Sequence, residues 1–277
     1  KIIQNNKDEF QAGLTALSKL TKGSVYLTSQ KPMEFDNATN VTIAGPHPAG
    51  NVGIQIHHIK PINPGEVIWT VNAQHVITIG KLFQNGQYDP GCVVSIGGSG
   101  SSNPQTVRAL TGSSIGSLLK DQLLNGSQRI ISGDVLTGKK VSSGDYLGFY
   151  DSQVSVIPDE ANEIFLNWLM PGSSLHSKLN VFISSFIEPK KYVFNTSISG
   201  GNRAIVPISS YEEVVPMNIL VTQLLKSLVV SDIEMAIDLG MLELAPEDLS
   251  LCSYVCPSKY DYSSILMDNL NKLYLEQ

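Results

Sequence analysis

Apolar residues along the first third of the chain alternate between two rhythms. Over residues 8–20, Phe10, Leu14 and Leu17 fall on one stripe with Ala12 and Ala16 beside it and Gly23 after it, which predicts an amphipathic helix. Val25-Tyr26-Leu27 and Val41-Thr42-Ile43 predict strands on either side of a loop rich in proline and asparagine. Next comes Gly45-Pro46-His47-Pro48-Ala49-Gly50, where prolines fix φ and glycines free it, so the stretch reads as a shaped turn. Asn51 through His58 then has the length of a short helix. Val67-Ile68-Trp69-Thr70-Val71 predicts a further strand, and residues 74–83 a further helix with Val76, Ile79, Leu82 and Phe83 on one side and Gly86 as its stop. This alternation predicts the latter part of a doubly wound α/β domain over 1–88.

From Cys92 the pattern shortens. Cys92-Val93-Val94-Ser95-Ile96 reads as a strand, residues 97–104 as a long glycine and serine turn, 106–110 as a second strand and 115–124 as a short helix, a β-grasp-like order. Strands are expected again at 129–131, 146–150, 154–157, 181–186, 192–194 and 204–208, giving a β-rich middle. After Pro216 the period becomes helical. A helix is expected over 219–230, then Ser231 with Glu234 three residues on has the capping-box pattern, and Gly240 supplies a stop. Pro246 suits the first position of another turn, and 261–275 carries Ile265, Leu266, Leu270 and Leu273 on one face, so the tail reads as a small helical bundle. Its acids (Asp232, Glu234, Asp238, Glu243, Glu247 and Asp248) meet no lysine or arginine between Lys226 and Lys259, which marks a solvated or partner-facing surface.

At 277 residues the chain has room for two or three modest domains. Its net charge of -6 gives no electrostatic reason to expect nucleic acid, which needs a clustered basic face. The most apolar window, 219–230, is broken by Thr222, Gln223, Lys226 and Ser227 and falls short of the roughly 20 residues of a bilayer span. The chain opens Lys1-Ile2-Ile3 without an initiator methionine or a signal pattern and reads as a piece of something longer. Three cysteines make no disulfide framework and point to a reducing compartment. The four sequons at Asn37, Asn40, Asn125 and Asn195 match a pattern that is frequent by chance, so the expectation is cytoplasmic.

Candidate chemistry is sparse. His47, His57, His58 and His75 lie near one another in sequence, but His57 and His58 point about 100° apart on a helix and no H-E-x-x-H spacing is present, so they read as structural or surface residues. Gly133-Asp134-Val135-Leu136-Thr137-Gly138-Lys139-Lys140 nearly matches a phosphate loop. It places Lys140 where a magnesium-binding hydroxyl belongs and lacks the helix that would follow, so it reads as a turn beside strands. No G-x-S-x-G elbow or G-x-G-x-x-G fingerprint occurs, and the pairs Asp159/Glu160, Glu212/Glu213 and Glu247/Asp248 are only sequence neighbours. Cys252 and Cys256 share a helix face at i, i+4 but fall short of the four thiolates of an iron–sulfur cluster even with Cys92, and read as buried, inert thiols.

The stretches Gly45-Pro46-His47-Pro48-Ala49-Gly50, Asp89 to Pro104, Arg129-Ile130-Ile131-Ser132-Gly133-Asp134-Val135-Leu136-Thr137-Gly138, Trp168-Leu169-Met170-Pro171-Gly172 and Leu251-Cys252-Ser253-Tyr254-Val255-Cys256-Pro257-Ser258-Lys259-Tyr260 resemble the A-subunit family of the bacterial sodium-translocating NADH:quinone oxidoreductase. The family resembles in turn the flavin-carrying subunit of respiratory complex I. The resemblance implies an α/β, α+β multidomain chain: a partial Rossmann-like domain at 1–88, a β-grasp, soluble-ligand-binding domain at 89–130, a β-rich connector at 131–210 and a C-terminal helical bundle at 211–277. It implies a peripheral subunit on the cytoplasmic face of the bacterial inner membrane. Its partners are membrane-embedded and other subunits, and NADH, FMN or FAD and iron–sulfur centres sit on those partners. Quinone is the implied substrate, with His47, Trp69, Phe83 and Tyr254 as candidate quinone-binding residues and no catalytic, cofactor-binding or metal-ligating residue expected. A scaffold without a ligand and a stand-alone histidine metalloenzyme are the other classes considered.

Overall fold

The structure, a computed structural model, describes residues 2–63, 65–160, 169–178, 180–187, 192–198 and 200–276. The chain divides into two compact units. One comprises Lys1–Pro90, Ala204–Cys256 and Tyr260–Gln277, and the other Gly91–Arg203 and Pro257–Lys259.

The first unit opens with α1 (Lys7–Leu17), then β1 (Tyr26–Ser29), β2 (Thr39–Thr42), α2 (Val52–Ile59) and α3 (Ala73–Asn85). The strands pair in parallel, Tyr26 opposite Thr39 through Ser29 opposite Thr42. Phe10 and Leu14 of α1 and Val76 and Ile77 of α3 form a buried cluster against which Val25, Leu27, Phe35 and Ala38 pack. The two helices cross where neither backbone carries a side chain: a Cβ on Gly13 would strike the Val76 carbonyl oxygen, and one on Gly80 the Glu9 carbonyl oxygen. Asn72 caps α3 by accepting the N–H of Gln74 at 2.9 Å, and Gly86 ends it at φ 70°.

The same unit closes with helices. These are α6 (Val221–Val230), α7 (Ile233–Asp238), α8 (Ser250–Val255) and α9 (Tyr262–Glu276), with short 3₁₀ turns at Met241–Glu243 and Pro246–Leu249; α4 (Ile115–Leu118) and α5 (Ser184–Ile187) belong to the second unit. Leu224, Leu225, Leu228, Met241, Leu249, Cys252, Tyr262 and Leu266 are sealed in one core, and Ile54 of α2 joins them. Ser231 does not cap α7 as its spacing predicts. It sits left-handed at the end of α6, and Asp232 caps α7 by accepting the N–H of Met235 at 3.1 Å. The two-residue link leaves room for only one residue at each role.

The second unit is a mixed five-stranded sheet of β3 (Gly91–Gly97), β4 (Gln105–Leu110), β5 (Gln128–Ser132), β6 (Lys139–Val141) and β7 (Gln153–Pro158) in the order β4-β3-β7-β5-β6. The first strand and the last lie side by side in parallel, flanked by an antiparallel partner on each side, with α4 (Ile115–Leu118) on the connection between β4 and β5. This is the β-grasp arrangement. Val94, Ile96, Ile115, Leu119, Ile130, Leu147, Val154 and Val156 fill its core. The boundary expected at residue 130 falls within β5. A short helix, α5 (Ser184–Ile187), lies later in the unit.

Several expected strands take other forms. Residues 67–71 belong to no regular element and to no ladder among the described residues, with Val67 and Trp69 78% and 80% exposed. β-branched and aromatic residues suit a half-buried pleated surface, and here no such surface is offered. Residues 146–150 make a turn closed by Asp151 N–H to Gly148 O at 3.0 Å, with Leu147 alone buried as its anchor. The stretch 181–186 turns into α5, and 192–194 and 204–208 belong to no regular element or ladder among the described residues. The helix expected over 115–124 stops at Leu118, since Asp121 takes φ 58° and the chain folds back through Gln122 N–H to Leu119 O. Trp168 lies outside the described residues.

Candidate functional site

The four candidate quinone-binding residues all belong to the first unit but lie on four different stretches of it. His47 is exposed in the turn ahead of α2, where its peptide to Pro48 is cis. Trp69 lies exposed on the irregular segment before α3, and Phe83 lies on α3 and is 72% exposed. Tyr254 lies on α8 with 40% of its surface open, and burial of the remainder raises its phenol above the usual tyrosine range. A ligand pocket buries most of its ligand between apolar walls. Two of these rings, Trp69 and Phe83, are instead mostly open to solvent.

Buried polar chemistry in this unit lies elsewhere. Tyr211 O–H donates to Cys256 Sγ at 3.2 Å, and Tyr262 O–H lies 3.3 Å from Tyr211 Oη and 3.5 Å from the same sulfur. All three residues are sealed in the helical core, and the two phenol rings meet edge to face at 5.9 Å. Burial, with the Cys256 contact, pushes Tyr211 up to about 12, and burial pushes Tyr262 up as well. Cys252 is pushed up to about 12 by burial, with Cys256 and Glu212 adding to it. Without a metal at the sulfur, the Cys252 thiol stays protonated at neutral pH. Sequence reading finds the inert cysteines but not the two phenols, which are far apart in the chain and carry no spacing signal.

The histidines expected to be structural are used so at positions 57 and 58. His57 Nδ1 lies 2.7 Å from Glu243 Oε2 and its Nε2 accepts the Asn218 N–H at 3.0 Å, while His58 Nε2 donates to the Pro216 carbonyl at 2.8 Å. Among the described residues, no three His, Cys, Asp or Glu side chains come close enough together to hold a metal ion.

Asp248 is a third residue that spacing does not single out. It is 1% exposed, caps its own 3₁₀ turn by accepting the Ala245 N–H at 3.0 Å, and lies against Gly53 in the first turn of α2. Burial raises its carboxyl above the ordinary range, opposed by the Ala245 N–H. Asn51, just ahead of α2, adds a bond to the neighbouring Glu247 carbonyl at 3.1 Å.

In the second unit the near-match to a phosphate loop is a turn between β5 and β6. Asp134 Oδ1 accepts the N–H groups of Leu136 at 2.7 Å and Thr137 at 2.9 Å, and its Oδ2 accepts the Thr137 hydroxyl at 2.7 Å. The backbone donors a phosphate would need are already taken by the chain's own carboxylate. The neighbouring Ser132, buried on β5, donates to Asp151 at 2.5 Å and accepts the Gly148 N–H at 3.0 Å, which fixes the 148–151 turn.

Comparison with known proteins agrees with this architecture. The family described as "NqrA second alpha/beta domain" matches residues 1–88, and the SLBB family described as "NQRA C-terminal domain" matches residues 93–143. Three relatives carry the name of the A subunit of Na(+)-translocating NADH-quinone reductase. That of Hahella chejuensis is 42% identical over 98% of this chain and 62% of its own length. Those of Teredinibacter turnerae and Pseudomonas aeruginosa are 43% and 42% identical, each over 98% of this chain and 62% of the relative. The chain thus spans about 62% of the length of the curated relatives it matches. No described helix is long and apolar enough to cross a membrane. With both domain families in order along it and this identity across almost all its residues, the chain belongs to the A-subunit family of Na(+)-translocating NADH-quinone reductase.

Proposed function

We propose that this chain works as a peripheral subunit of a sodium-translocating NADH–quinone reductase, on the cytoplasmic face of the bacterial inner membrane. The observation that carries the reading is 42% identity along 98% of the chain to proteins bearing that name. In this reading NADH, flavin and iron–sulfur chemistry belong to partner subunits. This chain contributes to the quinone site and to docking on the membrane-embedded subunits. The exposed Trp69 and Phe83 support a shared site, since apolar rings open to solvent in one chain are the parts a second surface would cover. His47 supplies a titratable donor, and Tyr254 a half-buried phenol, at two further positions.

Photo-crosslinking of the assembled complex with an azido-quinone tests the quinone role. Label on this chain, at or beside these residues, is expected, and a labelled complex with this chain clean would end that role. The same exposed rings favour a second reading, a scaffold subunit whose aromatic residues only meet protein. Under it, His47 and Tyr254 variants that assemble normally would retain full quinone reduction.

A further inference from the structure

Both nitrogens of the His57 ring are engaged, and the partners fix where its proton sits. Nε2 accepts the backbone N–H of Asn218 at 3.0 Å, so it carries no hydrogen in this arrangement. Nδ1 faces the Glu243 carboxylate at 2.7 Å and is therefore the donor. The ring itself is well buried, with 11% of its side chain exposed, while its bond to Asn218 lies at the exposed edge, where solvent can reach Nε2. His58, whose ring meets that of His57 edge to face at 5.3 Å, donates to Pro216 O. The last turn of α2 thus holds residues 216–218, the lead-in to α6, by two imidazole bonds of opposite polarity.

We propose that His57 is a pH-sensitive latch on this lead-in. A proton taken from solvent can go only to Nε2, and it turns that atom from acceptor to donor, so that N–H faces N–H at Asn218. The Glu243 contact survives the change as an ion pair, because Nδ1–H donates to the carboxylate in both states. The bond from His58 also survives, since its Nε2 is already a donor. Acidification therefore breaks the Asn218 bond selectively and frees the backbone there, while α2 stays attached through Glu243 and Pro216. The titratable groups against the ring are Glu243, from the 3₁₀ turn Met241–Glu243, and His58, from its own helix; the 216–218 segment presents backbone.

The test is nuclear magnetic resonance of the protein between about pH 8 and about pH 5, the range in which imidazole changes charge. It follows the His57 ring nitrogens together with hydrogen-exchange protection at the Asn218 amide. Protection at Asn218 is expected to fall roughly tenfold, the equivalent of one neutral hydrogen bond, in step with protonation of Nε2, while amides inside α6 keep theirs. His57→Gln, which does not titrate, is expected to remove the pH response. The latch is refuted if Nε2 takes up its proton with Asn218 protection unchanged, if Nε2 stays unprotonated across the range, or if His57→Gln shows the same fall. Should that variant not fold, the correlation within the wild-type protein decides alone.

Discussion

Asp248 occupies the space that a side chain on Gly53 would need: a Cβ there would run into Asp248 Oδ2. The contact joins the first turn of α2 to the 3₁₀ turn Pro246–Leu249, elements almost two hundred residues apart in sequence, and the carboxylate is almost wholly buried at the junction. Gly53→Ala forces the carboxylate or the helix to move and is expected to cost about 1–3 kcal/mol, the range for overpacking a filled core. Gly50→Ala, three residues earlier and with nothing within 4 Å of its Cβ position, is the control and should change little. Urea titration of both variants checks this, and equal midpoints would show that the junction yields freely.

The same carboxylate sets a pH dependence. Burial raises the folded-state pKa of Asp248 above its ordinary value of 3.8. Between those two values the folded chain holds a proton that the unfolded chain has released, so this residue's contribution to stability falls as pH rises through the window. Above the window the penalty is constant. Asp248→Asn keeps an oxygen for the Ala245 N–H and removes the titration. The stability difference between variant and wild type should therefore move in favour of the variant as pH rises from near 3.8. A difference that does not vary with pH would contradict it.

The helix crossing in the α/β layer is the most sharply defined packing feature. Gly80 of α3 rides on the Glu9 carbonyl and Gly13 of α1 on the Val76 carbonyl, so each helix supplies one notch to the other. Backbone cannot yield as a flexible side chain does. Gly80→Ala should separate the helices and destabilise the unit by about 3 kcal/mol, the upper end for overpacking, despite the gain in helix propensity of roughly 1 kcal/mol. A thermal melt with Tm unchanged or raised would sink the crossing as described.

What the chain discloses in advance follows from how local each signal is. α1, α6 and α9 are legible because their apolar stripes repeat within a turn or two; α3 is legible as a helix with Gly86 as its stop, but it buries Val76, Ile77 and Gly80 and leaves Leu82 and Phe83 of the expected stripe exposed. β3, β4, β5 and β7 are legible as apolar runs, whereas β6, Lys139–Val141, escapes notice because it is a polar edge strand. Residues 67–71 have strand composition without a ladder among the described residues, and 146–150 make only a single bridge, Tyr146 to Ser114, so composition does not say whether a ladder is on offer. At the site level, Cys252 and Cys256 read correctly as buried thiols. Tyr211, Tyr262, Asp248 and the His57–Glu243 pair do not show, because their contacts span long sequence separations that leave no local pattern.

Thiol labelling separates the three cysteines. Cys92 is half-buried on β3, and Cys252 and Cys256 are sealed in the helical core. Burial pushes Cys252 up to about 12, which removes the thiolate that reacts. A maleimide at neutral pH should modify Cys92 first and reach the other two only when the bundle unfolds. Raising the pH past 10 should bring that unfolding on. Tyrosines in the unfolded chain ionise near 10, whereas Tyr211 holds its proton to about 12, so stability falls across that interval. Native-state labelling of Cys252 or Cys256 at a rate like that of Cys92 would show that the core opens far more easily than its packing indicates.

The exposed aromatic residues distinguish a functional surface from a structural one. Trp69 and Phe83 leave most of their rings in solvent, so Trp69→Ala and Phe83→Ala remove little buried area and should change the stability of this chain by no more than about 0.5 kcal/mol. If the rings complete a quinone site in the assembled complex, the same truncations act there instead. The quinone kcat/KM of the complex should drop about tenfold for Trp69→Ala, the size of a modest hot spot, with the chain still assembled at normal stoichiometry. Loss of assembly with unchanged kinetics in the residual complex would transfer the rings to the scaffold role. A variant equal to wild type in stability, assembly and quinone kinetics would remove Trp69 from both.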